Sequence, residues 1–197
     1  VRKPGATNGL TIRDSATNSV NGTLLSVQSS SAAGLFQVNS NVTEYTSDSG
    51  AEVAGSTPTT FPANTWAPIG GASMSRHNTP GNFIATGQAS VAINTTAAAN
   101  DGVKNTLTSA LTPNMHYNVS FTTRLASGIF TDMNVYYSVN GTAASVPCTL
   151  AQTSATSIWT KVNCTFTAPA SGITAANAIL IRQTSGVART FYVDNIS

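Results

Sequence analysis

Apolar residues in this chain recur at every second position and almost nowhere at helical spacing. The runs Tyr117-Val119-Phe121, Met133-Val135-Tyr137-Val139, Thr160-Val162-Cys164-Phe166 and Phe191-Val193 each alternate with polar neighbours. Period-two alternation puts one set of side chains on one face of a strand, so each run describes a strand with one buried and one wet face. Turn formers stand between the runs: Leu111-Thr112-Pro113-Asn114, Asn140-Gly141, Ala168-Pro169 and Ser185-Gly186. Ala97 to Ala99 is the one stretch with helical character, and it is too short to nucleate a helix. The chain is therefore expected to be all-β, an antiparallel β-sandwich whose inner faces make the core.

The first residues follow a different pattern. Leu10-Thr11-Ile12, Leu25-Ser26-Val27 and Phe36-Gln37-Val38 each place a polar residue between two apolar ones, separated by Ser, Asn and Gly. A piece this short cannot bury its apolar residues alone and needs a sheet or another subunit to lean on. Residues 1–41 are thus read as an extended N-terminal β segment, and Leu10, Ile12, Leu25, Val27, Phe36 and Val38 as its candidate assembly contacts by strand addition to a neighbouring copy. The alternative is a flexible polar linker.

Composition narrows the function. Charged residues make up 8% of the chain and the formal net charge is +2, with no basic cluster or stripe, which argues against nucleic acid as a partner. No apolar run is long enough for a membrane-spanning helix. The chain starts at Val1 without a start Met, as expected of a processed product or a fragment. Cys148 and Cys164 lie in or beside strand-like runs. They are expected to pair as a disulfide in an extracellular setting, the alternative being two buried free thiols. Seven acids and two histidines offer little to a catalyst. No two acids share one strand face as a glycosidase pair requires, and His77 and His116 lack metal-ligand spacing. A non-catalytic protein is expected.

From about Val42 onward the sequence resembles the carbohydrate-binding modules of families 4, 9 and 22. The resemblance rests on Asp48-Ser49-Gly50-Ala51-Glu52 with Gly55 and Trp66 after it, and on Gly87 to Leu107. It continues through the proline turn feeding Tyr117-Asn118-Val119-Ser120-Phe121, the Trp159-Thr160-Lys161-Val162 strand and the closing Phe191 to Ile196. It implies a jelly-roll domain over residues 42–197 and two sites. One is a structural calcium, with Glu52 and Asp194 at the matching positions of opening and closing strands that lie side by side. The alternative there is two carboxylates satisfied by backbone N–H groups or by Lys104. No other cofactor is implied. The second is a glycan platform, for which Tyr136, Trp159, Arg124 and Arg182 are the outward candidates. Many sugar-binding relatives carry an aromatic near Thr122, and this chain does not.

Two readings of function follow. In the first, the sandwich is a structural or adhesive subunit of a surface fibre or pilus, self-associating head to tail through its N-terminal segment. In the second, it is a glycan-binding module of a secreted hydrolase or adhesin, or the tip of a trimeric fibre, with a polysaccharide or cell-surface glycan as partner. The low charge and the missing aromatic at Thr122 favour the first.

Overall fold

The structure, a computed structural model, describes residues 23–28, 34–39, 45–57, 59–150 and 156–197. The chain divides into two compact units, residues 1–44 and 45–197. In the first, β1 (Thr23–Gln28) and β2 (Gly34–Asn39) form an antiparallel pair with Leu25 opposite Val38 and Val27 opposite Phe36. The two similar pieces of the N-terminal segment are thus each other's strand partners. Leu10 and Ile12 lie outside the described residues.

The second unit is a sandwich of two antiparallel sheets, as the alternation requires. One sheet has the order β10 (Thr149–Leu150), β11 (Thr160–Thr167), β7 (His116–Leu125), β13 (Thr190–Asp194), β5 (Ser90–Asn94), β4 (Ser73–His77). The other has the order β3 (Trp66–Ile69), β6 (Gly102–Thr106), β12 (Ala178–Gln183), β8 (Met133–Ser138), β9 (Val146–Pro147). Long β7 shows why sequence periodicity translates into this packing. Val119, Phe121 and Leu125 are buried, while Asn118, Ser120, Thr122 and Arg124 between them are not. Opposite it on β11, Val162, Cys164 and Phe166 face inward. Met133, Val135 and Tyr137 of β8 and Ile179 and Ile181 of β12 close the core from the second sheet. Burying such side chains is the main driving force of the fold, at about 25 cal/mol per Å² of apolar surface.

Cys148 and Cys164 form a disulfide. Cys148 stands between β9 and β10, where the chain leaves one sheet for the other, so the bond ties this crossing to the middle of β11.

One expectation needs correction. The segment Asp48 to Glu52 is a sequence of turns rather than an opening strand, because Asp48 and Ala51 both take positive φ (47° and 57°). It still lies beside the end of the chain. The N–H of Ile196 donates to the Ser49 carbonyl at 3.0 Å, and the Thr46 hydroxyl to the Ile196 carbonyl at 3.0 Å.

Candidate functional site

The outer face of the six-stranded sheet gathers the aromatic and cationic side chains that the alternation leaves outside the core. Register places Arg124 of β7 beside Tyr192 of β13, Tyr192 beside Ala92 of β5, and Ala92 beside Ser75 of β4. Trp159, one residue before β11, extends this row on the far side of Arg124, since Thr160 pairs with Thr123. A second outward row, Ser73, Asn94 and Thr190, is polar throughout, and the Thr190 hydroxyl donates to the Asn94 side chain at 2.7 Å. Flat rings bordered by neutral hydrogen-bonding groups are what a pyranose ring and its hydroxyls require.

The connection between β4 and β5, residues 78–89, folds back over this row as a strap. The Asn82 carbonyl accepts from both the Trp159 indole at 3.0 Å and Arg124 Nη1 at 2.7 Å. Phe83 stacks on Tyr192 with centroids 4.5 Å apart, His77 meets Tyr192 edge-on at 5.4 Å, and the Arg124 guanidinium lies 4.8 Å from the Phe83 centroid. Burial pushes the Tyr192 phenol upward from its ordinary pKa, against the opposing pull of Arg124. These contacts hold Trp159 and Arg124 in fixed orientations. A cleft of ≈ 530 Å³ opens between the strap and edge strand β4, lined in part by Arg76, Pro80, Ile84 and Gln88.

Trp159 and Arg124 therefore lie together, but Tyr136 and Arg182 do not join them. These two project from β8 and β12 on the outer face of the other sheet, where the Arg182 guanidinium lies 4.3 Å from the Tyr136 centroid. The expected single platform of four is corrected to two pairs on opposite sheets. Alternation tells outward from inward but not which sheet a strand joins. His77, Phe83 and Tyr192 are the residues that sequence reasoning missed. Tyr192 could have been found, because Phe191 and Val193 on either side of it face the core. Thr122 itself donates to the Asp194 carbonyl at 3.0 Å.

Glu52 and Asp194 meet under the other end of the strap. Asp194 is fully buried and accepts from the N–H groups of Ala85 (3.0 Å), Thr86 (3.2 Å) and Asn195 (2.8 Å). Glu52 accepts from Gln88 at 2.9 Å and Ala89 at 3.4 Å. Lys104 is not involved: its ammonium donates to the Gly141 carbonyl at 2.8 Å. The two carboxylates face a common point over Gly50. A Cβ there would stand 3.6 Å from Glu52 Oε1 and 3.8 Å from Asp194 Oδ1. Burial pushes Asp194 up to about 6; its three N–H partners pull it down and the Glu52 charge adds to the rise. Burial also raises nearby Asp48, whose Oδ2 is buried without a hydrogen-bond partner. No group of three or more such side chains among the described residues is arranged to hold a metal. Two converging carboxylates, Asp194 buried and Glu52 exposed, nonetheless fit a hard, oxygen-seeking cation whose remaining ligands are carbonyls or water.

Solved structures share the fold at low sequence identity. An arabinose-bound GH51 α-L-arabinofuranosidase matches with a TM-score of 0.64 at 17% identity over 78% of this chain, which spans only 26% of that one. The CBM22-1 xylan-binding domain of Paenibacillus barcinonensis Xyn10C matches with a TM-score of 0.55 at 14% identity, covering 75% of this chain and 88% of that one. A cyclase from Fischerella sp. TAU, in complex with 4-(1H-indol-3-yl)butan-2-one, matches equally well at 0.55 and 13% identity, covering 76% and 92%. The same sandwich thus hosts more than one kind of chemistry, and fold alone does not decide function. No curated protein matches the chain. None of these likenesses supports a fibre or pilus subunit. The family model of the carbohydrate binding domain shared by families 4 and 9 matches residues 59–185, and the chain belongs to that family.

Proposed function

We propose that this chain is a non-catalytic, extracellular module that binds a plant-type β-linked polysaccharide of the xylan class on the outer face of its six-stranded sheet. The observation that carries the reading is Trp159 beside Arg124, both held by the strap, whose Phe83 covers Tyr192, on the face that also carries the polar row Ser73–Asn94–Thr190. The xylan-binding name of a structural neighbour supports the choice of polymer. The disulfide suits an oxidising compartment. Trp159 supplies the stacking surface, Arg124 a hydrogen-bond donor, and the strap a wall along the polymer's path.

Affinity electrophoresis or calorimetry with soluble xylan tests this directly. Trp159→Ala is expected to weaken binding roughly tenfold, the scale of one lost sugar–aromatic stack. Tyr136→Ala, on the other sheet, is expected to leave it unchanged. Undiminished affinity in the Trp159 variant, or no polysaccharide binding by the wild type, overturns the reading.

Calcium belongs to this proposal as a structural ion held by Glu52 and Asp194, with backbone carbonyls completing a shell of about six to eight oxygens. A dication between the two would offset the repulsion between buried Asp194 and the neighbouring Glu52 charge. The midpoint of thermal unfolding is expected to rise by several degrees from EDTA to millimolar Ca²⁺, and the rise to vanish in Glu52→Gln. Equal midpoints in EDTA and calcium would remove the ion from the account.

A further inference from the structure

The glycan face is unusually one-signed. Along the outward positions of β7 and β11 stand His116, Asn118, Ser120, Thr122 and Arg124 on one strand and Lys161, Asn163, Thr165 and Thr167 on the other, with no carboxylate among them. The carboxylate that β13 contributes, Asp194, is fully buried and already holds three backbone N–H groups. Lys161 is exposed and has no hydrogen-bond or ion-pair partner among the described residues. Arg124 spends Nη1 on the Asn82 carbonyl, but its Nε is buried with no acceptor. The guanidinium keeps its full positive charge beside Trp159, and a carboxylate is the partner that a guanidinium binds best.

These cations flank the aromatic anchor. Trp159 and Lys161 are two positions apart at the same edge of the strand, about 6.6 Å along it. Arg124 faces Trp159 across the register, and Thr122 faces Lys161. A sugar stacked on Trp159 therefore has a positive group on each of two sides, and no acidic side chain stands among the outward positions of β7 and β11.

Building on the proposed glycan site, we infer that its ligand is an acidic polysaccharide, a β-linked chain carrying uronic acid carboxylates that Lys161 and Arg124 recognise beside the Trp159 ring. Aromatic stacking supplies affinity for the backbone, and the two cations supply preference for the charged substituent. Such preference arises from the difference between two bound states, so it is visible only when charged and neutral forms of one backbone are compared.

The test uses the full chain, with glucuronoxylan and the same polymer after its carboxyl groups are reduced to alcohols. Wild type is expected to bind the acidic form roughly tenfold more tightly at low salt, the difference shrinking as salt is raised. Lys161→Ala is expected to lose about fivefold of this preference while still binding the reduced polymer. Arg182→Gln removes a charge of the same sign from the opposite sheet and is expected to keep the preference intact, which separates a site from general attraction to a net-positive protein. Equal affinity for both polymers overturns the inference and leaves the glycan-binding reading standing. So does a preference that Arg182→Gln reduces as much as Lys161→Ala. Binding of neither polymer overturns both.

Discussion

Removing the disulfide is expected to lower the unfolding free energy of the sandwich by about 3 kcal/mol, the scale of closing a loop of this length. Cys148 and Cys164 are 16 residues apart, and both are buried. The bond lies where the sandwich is otherwise weakly tied. β9 and β10 are two residues each and sit at the edges of different sheets, so the crossing between them has few ladder bonds of its own. One of these is the Cys148 N–H to the Val135 carbonyl at 2.9 Å. In the doubly substituted Cys148→Ala/Cys164→Ala protein, the midpoint should fall by about 6–12 °C for a domain of this size. The reduced wild type should match it. A midpoint unchanged after both thiols are shown to be free would mean that the crossing is held by packing alone. Polysaccharide binding below the new midpoint should survive, because Trp159 and Arg124 are fixed by the strap rather than by the disulfide.

The sandwich was legible because its signal is local and repeated. In β7, β8 and β11 each inward side chain could be named from its neighbours two positions away, and Tyr137 inward with Tyr136 outward came from parity alone. The Asp48–Glu52 segment was misread as a strand because nothing in Asp-Ser-Gly-Ala-Glu announces positive φ at an alanine. That conformation is imposed by tertiary contacts, among them the Trp66 indole donating to the Asp48 carbonyl at 2.9 Å and Arg76 Nε donating to the Ala51 carbonyl at 2.6 Å.

The site was only half legible, for a different reason. Parity placed Arg124 and Trp159 on the surface correctly but gave Tyr136 and Arg182 the same standing, since it carries no information on sheet membership. Strand order is set by long-range pairing, and β8 joins β12 while β7 joins β13. The strap is less legible still. Asn82 and Phe83 belong to an irregular connection with no period to read, yet they orient the platform through one carbonyl and one ring. Residues that position a binding surface from a loop leave no trace in a pattern built on regular elements.

Asp132→Asn is expected to cost about 3 kcal/mol, as large an effect as losing the disulfide, because it strips the partner from a largely buried cation. Asp132 closes the connection between β7 and β8, and Arg189 closes the one between β12 and β13; their side chains are 19% and 11% exposed and form an ion pair. The Ser185 N–H also donates to Asp132 at 2.8 Å, and the Arg189 guanidinium lies 4.6 Å from the centroid of core residue Phe130. Burial acts to raise Asp132, but the Ser185 hydroxyl, the Ser185 N–H and Arg189 outweigh it and hold the carboxyl down to about 2. Its pKa is thus lower folded than the ordinary 3.8. The stabilisation is present in full above that ordinary value and lost as pH falls from 3.8 toward 2, to the extent of about 2 kcal/mol. The gap between wild type and Asp132→Asn in urea unfolding should accordingly be constant at neutral pH and narrow from about 3 to about 1 kcal/mol as the solution is acidified through this window. A gap still at its full neutral-pH size at pH 2 would show that the side chain acts by shape rather than charge. Arg189 immediately precedes β13; its carbonyl accepts from the Thr95 N–H at 2.9 Å and its N–H donates to the Thr95 hydroxyl at 3.0 Å, so the same pair anchors the strand that carries Tyr192. A loosened β13 should therefore also weaken polysaccharide binding at the proposed face, to whose polar row Thr190, the residue after Arg189, belongs. That loss should follow the stability gap, shrinking over the same pH window.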